Sequence, residues 1–186
     1  HHVRNQAGLF DQSSFAKFEM RGKDAGKVLD FICANDLLKP PGRLTYTQLL
    51  NSRGGIECDL TVGRLADDHF YIVTGTGFRT HDYAWIRDHM PDGTDAHLED
   101  VTEGFGTLSL MGPNSRAILA QVTDAEIAND AFPFGHVRVI DIDGVPVRAL
   151  RLTYVGELGW ELHMPIHGIG KVFDALMEAG EDHLLR

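Results

Sequence analysis

At 186 residues the chain is long enough to bury a real core, as one medium domain or two small halves. A hydrophobic share of 43% and a charged share of 24% are those of an ordinary folded protein, and a net charge of −10 argues against a nucleic-acid partner. No apolar run approaches the ~20 residues of a membrane-spanning helix, and Cys33 and Cys58 lie in apolar segments that suit buried free thiols better than a disulfide framework.

Residues 3–12 begin polar and turn at Gly8-Leu9-Phe10-Asp11. Residues 14–21 read as a strand able to bury Phe15, Phe18 and Met20. Asp24 is placed to cap a helix over 25–34, with Val28, Leu29, Ile32 and Cys33 at helical spacing. Beyond the loop at Pro40-Pro41-Gly42, residues 44–51, 56–65 and 69–74 read as three strands joined by turns at Ser52-Arg53-Gly54-Gly55 and Asp67-Asp68. In the middle strand Ile56, Cys58, Leu60 and Val62 share one face, while Glu57, Asp59 and Thr61 share the other. An acidic residue inside a central strand is locally disfavoured, so Asp59 is the position to explain. Pattern alone favours a solvent-facing carboxylate over a functional one.

Thr80 is placed to cap a helix over 81–89 anchored by Tyr83, Trp85 and Ile86, and Pro91-Asp92-Gly93 breaks it. Strands follow at 96–101 and 105–111. Pro113 launches a helix over 115–122, and residues 123–133 read as loop or broken helix. Residues 137–142 and 145–152 flank Asp143-Gly144 as a hairpin. Residues 153–164 read as a strand pair or bent strand, and 168–179 as an amphipathic helix carrying Ile169, Val172, Phe173, Leu176 and Met177. One internal echo stands out. FEMRGKDAGKVLDFI and LSLMGPNSRAILAQV each give a strand, a Gly-centred turn and a helix, which predicts two similar α+β halves, each a sheet with helices on one face.

Several chemistries fail on spacing. Gly75-Thr76-Gly77 lacks the third glycine of a dinucleotide fingerprint, with Thr80 in its place. His163 and His167 are separated by Pro165, and His81 and His89 have no third ligand at a sensible interval, so no metal site is expected. Cys58 has no histidine close in sequence to activate it. The stretch RLTYVGELGWELHMP is the second informative one. Pattern favours a glycine-kinked strand with Trp160 buried and the glutamates wet; the functional reading is a pocket wall with an aromatic plate and a carboxylate.

Taken together, Gly8 through Phe15, Tyr46 through Asp59, Phe70 through Gly77, Met111-Gly112-Pro113 and Tyr154 through Glu161 resemble the folate-binding aminomethyltransferase family of the glycine-cleavage T-protein. The pattern is most similar to the folate-binding module of dimethylglycine and sarcosine dehydrogenases. The resemblance implies an α+β fold of antiparallel or mixed sheets in two ferredoxin-like halves, 1–101 and 102–186, with the C-terminal part of the family domain beyond this chain. It implies tetrahydrofolate as acceptor of a one-carbon unit from an amine-derived donor, giving 5,10-methylenetetrahydrofolate. FAD would belong to a separate domain. A flavin amine dehydrogenase domain or a lipoyl carrier protein would be the macromolecular partner, with no nucleic acid and no membrane, in the cytoplasm or a mitochondrial matrix. Asp59 matches the family's functional aspartate; T-proteins carry two adjacent aspartates there, and Cys58 replaces the first. Glu161 matches the pterin-binding glutamate, and Tyr46 and Tyr154 match folate-contacting tyrosines. Phe15, Thr61, Ile72 and Thr74 are carried over as pocket walls. Rival readings are a methyltransferase using a sulfonium donor and a folate-binding or structural module without catalysis.

Overall fold

The computed structural model describes all residues, His1–Arg186. In chain order the elements are α1 (His2–Asn5), β1 (Gly8–Asp11), β2 (Ala16–Arg21), α2 (Ala25–Ile32), β3 (Leu44–Leu50), β4 (Ile56–Ala66), β5 (His69–Thr74), α3 (Arg79–His89), β6 (His97–Asp100), β7 (Phe105–Met111), α4 (Ser115–Val122), β8 (His136–Ile142), β9 (Val145–Arg151), β10 (Gly159–Pro165) and α5 (Ile169–Gly180). They divide into two compact units. One is Phe15–Thr102; the other joins His1–Ser14 to Glu103–Arg186.

The unit Phe15–Thr102 is a five-stranded sheet in the order β3-β4-β5-β2-β6, antiparallel throughout. Strand alternation sends Phe18, Met20, Leu60, Val62, Phe70 and Ile72 to one face, where they bury against Val28 and Leu29 of α2 and Ile86 of α3. Set β3 aside and the rest is a β-α-β-β-α-β ferredoxin-like unit, with β3 added on one edge. The other unit repeats this plan with the order β1-β7-β10-β9-β8. Leu108, Leu110, Trp160, Leu162 and Met164 bury against Ile118 and Leu119 of α4 and Val172 and Leu176 of α5. Here β8 is the added edge strand, and the final strand of the motif is β1, from the start of the chain. The family resemblance anticipates this architecture.

The turn that starts the first helix of each motif needs glycine. Gly22 and Gly112 take φ of +129° and +126°, and a Cβ on either would collide with the backbone of Asp95 or Gln6 respectively. The β8–β9 turn is the two-residue Asp143-Gly144, with φ of 50° and 78°, as a primed hairpin turn requires.

Four expectations are corrected. The unit boundary differs from halves at 1–101 and 102–186, because Gly8–Asp11 pair with Leu108–Met111 and so tie the first residues to the later unit. Residues 8–11 are accordingly a strand. Residues 153–158 are loop, and the strand starts at Gly159. Neither helix uses its expected cap: the Asp24 carboxylate accepts the Asp95 N–H at 3.0 Å, and Thr80 lies inside α3, which a 3-10 turn at Thr76–Phe78 precedes.

Candidate functional site

β4 outruns β5. The last rung between them is Leu60 with Thr74, so Asp59 pairs only with Gln48 of β3. Cys58, Leu60 and Val62 occupy the helix side, which turns Asp59 to the helix-free side, where it is exposed. Both carboxylate oxygens are held. Tyr46 Oη donates to Oδ2 at 2.9 Å and Gln48 Nε2 donates to Oδ1 at 3.0 Å. The hydrogen bond to Asp59 pushes the Tyr46 phenol above its ordinary range, which keeps it a donor. Tyr46 itself is 62% exposed. Asp59 is therefore an accessible carboxylate whose rotamer is fixed from both sides. Gln48 is not among the residues the resemblance implies; its signal is that it shares a strand face with Tyr46 two residues away and lies across the hairpin from Asp59.

The other residues carried over for this unit divide. Thr61 stands opposite Tyr46 in register, half-buried, and Phe15 is half-buried just before β2. Ile72 and Thr74 do not share the face of the Asp59 carboxylate, although Thr74 Oγ1 lies 3.4 Å from the Asp59 carbonyl oxygen. Their strand parity points them to the helix side: Ile72 is fully buried in the core, and Thr74 Oγ1 donates to the buried Asp82 carboxylate at 2.6 Å.

Tyr154 and Glu161 belong to the other unit. Glu161 sits on β10 between Ser109 and Leu150, on the face without helices, and is only 7% exposed. Its single polar partner is His163, whose Nε2 lies 3.4 Å from Oε2. The His163 ring is fully buried, and its Nδ1 is 3.0 Å from Thr107 Oγ1. Tyr154 is 87% exposed in the loop before β10, where Gly156 takes φ of +79° and its N–H donates to Thr153 Oγ1 at 3.0 Å. Trp160 alternates to the opposite face and is core, so it is no aromatic plate; Glu157 pairs with Arg4 at 3.0 Å.

A further cluster gathers where β4 meets the first turn of α3. Ligand atoms of Cys58, His81 and Asp82 lie within 4.8 Å of one another. These donor types suit zinc. However, the N-terminal end of α3 carries partial positive charge that opposes a cation, and Asp82 is already engaged by Thr74 and by His81 Nδ1 at 2.9 Å. We read it as structural. Burial and the Asp82 carboxylate push the Cys58 thiol well up, which removes it as a nucleophile.

The chain matches the GCVT N-terminal domain model over residues 1–186. It is 41% identical to human mitochondrial sarcosine dehydrogenase over 194 residues, covering 97% of the chain and 21% of that protein. It is 33% identical to mouse mitochondrial dimethylglycine dehydrogenase over 181 residues, with the same shares. Among solved structures, the glycine cleavage system aminomethyltransferase T of Bartonella henselae superposes with a TM-score of 0.84 at 28% identity, covering the whole chain and 48% of that protein. The chain thus spans about a fifth of each dehydrogenase. It belongs to the aminomethyltransferase family of the glycine-cleavage T-protein.

Proposed function

We propose that this chain binds tetrahydrofolate and takes part in transferring a one-carbon unit to it from an amine-derived donor, giving 5,10-methylenetetrahydrofolate. The observation that carries the reading is Glu161: a carboxylate 7% exposed whose only polar partner is one imidazole at 3.4 Å. A buried carboxylate so poorly supplied with donors is costly unless a ligand completes it. The amino-pyrimidine edge of a pterin offers two parallel donors that match both its oxygens.

Asp59 supplies the second role. Tyr46 and Gln48 fix its orientation, and its exposure leaves acceptor capacity for an amine N–H of the acceptor. The carboxylate orients that nitrogen and holds its proton as the carbon is taken up. Tetrahydrofolate itself supplies the nucleophilic nitrogen. A flavin does not fit these residues. Gly75-Thr76-Gly77 runs into a 3-10 turn with no third glycine, so amine oxidation would belong to another part of a dehydrogenase-type protein. The mitochondrial relatives support a matrix setting in a eukaryote.

Calorimetric titration of tetrahydrofolate into the protein, with Glu161→Ala in parallel, tests the reading. Saturable binding that weakens at least tenfold in the variant is the expected result. Binding that ignores Glu161 would remove it.

A further inference from the structure

The two units supply an internal control for each position. Lys17 pairs with Val73 as Thr107 pairs with His163, and Glu19 pairs with Tyr71 as Ser109 pairs with Glu161. The helix-free face of this fold therefore accepts valine where His163 stands. The scaffold does not demand an imidazole there, and an imidazole fully buried in mid-sheet without a structural need calls for another explanation.

We propose that His163 is a positioning residue that orients the Glu161 carboxylate toward its ligand, with Thr107 holding the imidazole at its other nitrogen. This rests on the reading of Glu161 as the acceptor for the pterin donor edge. An ionised Glu161 carboxylate can only accept, which assigns the imidazole proton to Nε2, 3.4 Å from Oε2. Nδ1 is then the acceptor, and the Thr107 hydroxyl 3.0 Å away is placed to donate to it. Arg148 stands opposite His163 in register on β9, and its guanidinium lies over the Phe105 ring. The long 3.4 Å contact suits a link that tightens when ligand donors engage the carboxylate. Oε2 is steadied by the protein through His163–Thr107, while its second lone pair and Oε1 remain for the two ligand donors.

The test is a double-mutant cycle on tetrahydrofolate affinity in the full-length protein. It uses His163→Val (the residue of the sister unit), His163→Gln (which keeps a donor near Nε2), Thr107→Val and Glu161→Gln. A tetrahydrofolate analogue lacking the 2-amino group serves as control ligand. His163→Val is expected to weaken tetrahydrofolate roughly tenfold, weaken the analogue little, and add nothing in the Glu161→Gln background. His163→Gln should recover most of the loss, and Thr107→Val should reproduce part of it. Equal losses for both ligands, or additive losses with Glu161→Gln, would make His163 a structural residue and overturn the proposal. Unchanged affinity in Glu161→Gln would remove the pterin reading itself and this proposal with it, a result distinguishable from failure of the cycle alone.

Discussion

The two units can be laid over each other hydrogen bond by hydrogen bond. Ala25 N donates to Gly22 O and Ser115 N to Gly112 O, both at 3.0 Å. Asp24 N reaches Asp95 O as Asn114 N reaches Gln6 O. Val101 N bonds Lys17 O as Gln12 N bonds Thr107 O. Behind the sheets the likeness extends to packing: Arg64 lies 5.5 Å over Phe70, and Arg151 lies 5.6 Å over Trp160. On the helix-free faces it stops. Lys17, Glu19, Tyr71 and Val73 in one unit answer to Thr107, Ser109, Glu161 and His163 in the other, and Asp59 answers to Pro146. One side of each sheet is constrained by helix packing and stays alike. The other side is free of that constraint, and the candidate chemistry sits there.

That division can be broken most forcefully at the glycines. Gly22→Ala and Gly112→Ala each force a Cβ into a backbone at positive φ, and each is expected to cost about 3 kcal/mol or more. Urea unfolding of the two variants should show losses of similar size. A large loss in one and none in the other would mean that the repeat is not one of equivalent constraints.

Asp59→Asn probes the opposite side. The residue is exposed and its loss removes no packing, so the melting temperature should hold while one-carbon transfer falls about 100-fold or more. Tetrahydrofolate affinity should change far less than the transfer rate. If rate and affinity fell together, Asp59 would be a binding group rather than one acting on the reacting nitrogen.

Local signals made much of this fold legible. The strand Phe105–Met111 and the helix Ser115–Val122 stand where apolar spacing and Pro113 put them, and Asp143-Gly144 announced its hairpin. The echo between FEMRGKD and LSLMGPN was readable because both turns need glycine at the same place. The role of β1 was not readable, since its four residues pair with a strand almost a hundred positions later and carry no period of their own. At the site, Asp59 could be singled out as an acid in a strand. A family motif carries Ile72 and Thr74 without their parity, and the alternation that turns Asp59 outward puts both on the helix side. His163 fails as a metal ligand on its spacing from His167, and nothing in its own neighbourhood reveals Thr107, fifty-six residues before it.

The helix-side likeness predicts a mild outcome for a drastic-looking change. Trp160 is fully buried with its Nε1 unpaired, and its counterpart in the sister unit is Phe70 under a matching arginine. Trp160→Phe should therefore cost about 1.5 kcal/mol or less, against about 3–5 kcal/mol for Trp160→Ala. The lost area is partly offset by removing an unsatisfied donor. A Phe variant as damaging as the Ala variant would show that the two cores have diverged in shape.

The smallest effect tests the finest point of agreement. Thr102 N donates to Asp100 Oδ1 at 3.0 Å, and Thr102 Oγ1 accepts Lys17 N at 3.0 Å. In the other unit Ser13 N donates to Asp11 Oδ1 at 2.9 Å, and Ser13 Oγ accepts Thr107 N at 3.0 Å. The same hydroxyl anchor thus ties the end of the motif's last strand to the start of its first. Thr102→Val and Ser13→Ala each strand one backbone N–H, so each should lower stability by about 1 kcal/mol. The amides of Lys17 and Thr107 should then exchange faster in their respective variants, each without effect on the other. Faster exchange at Thr107 in the Ser13 variant would also loosen the strand that carries the Thr107–His163 contact, so Ser13→Ala should cost a little tetrahydrofolate affinity where Thr102→Val costs none. Equal affinity in the two variants would separate the structural anchor from the site it adjoins.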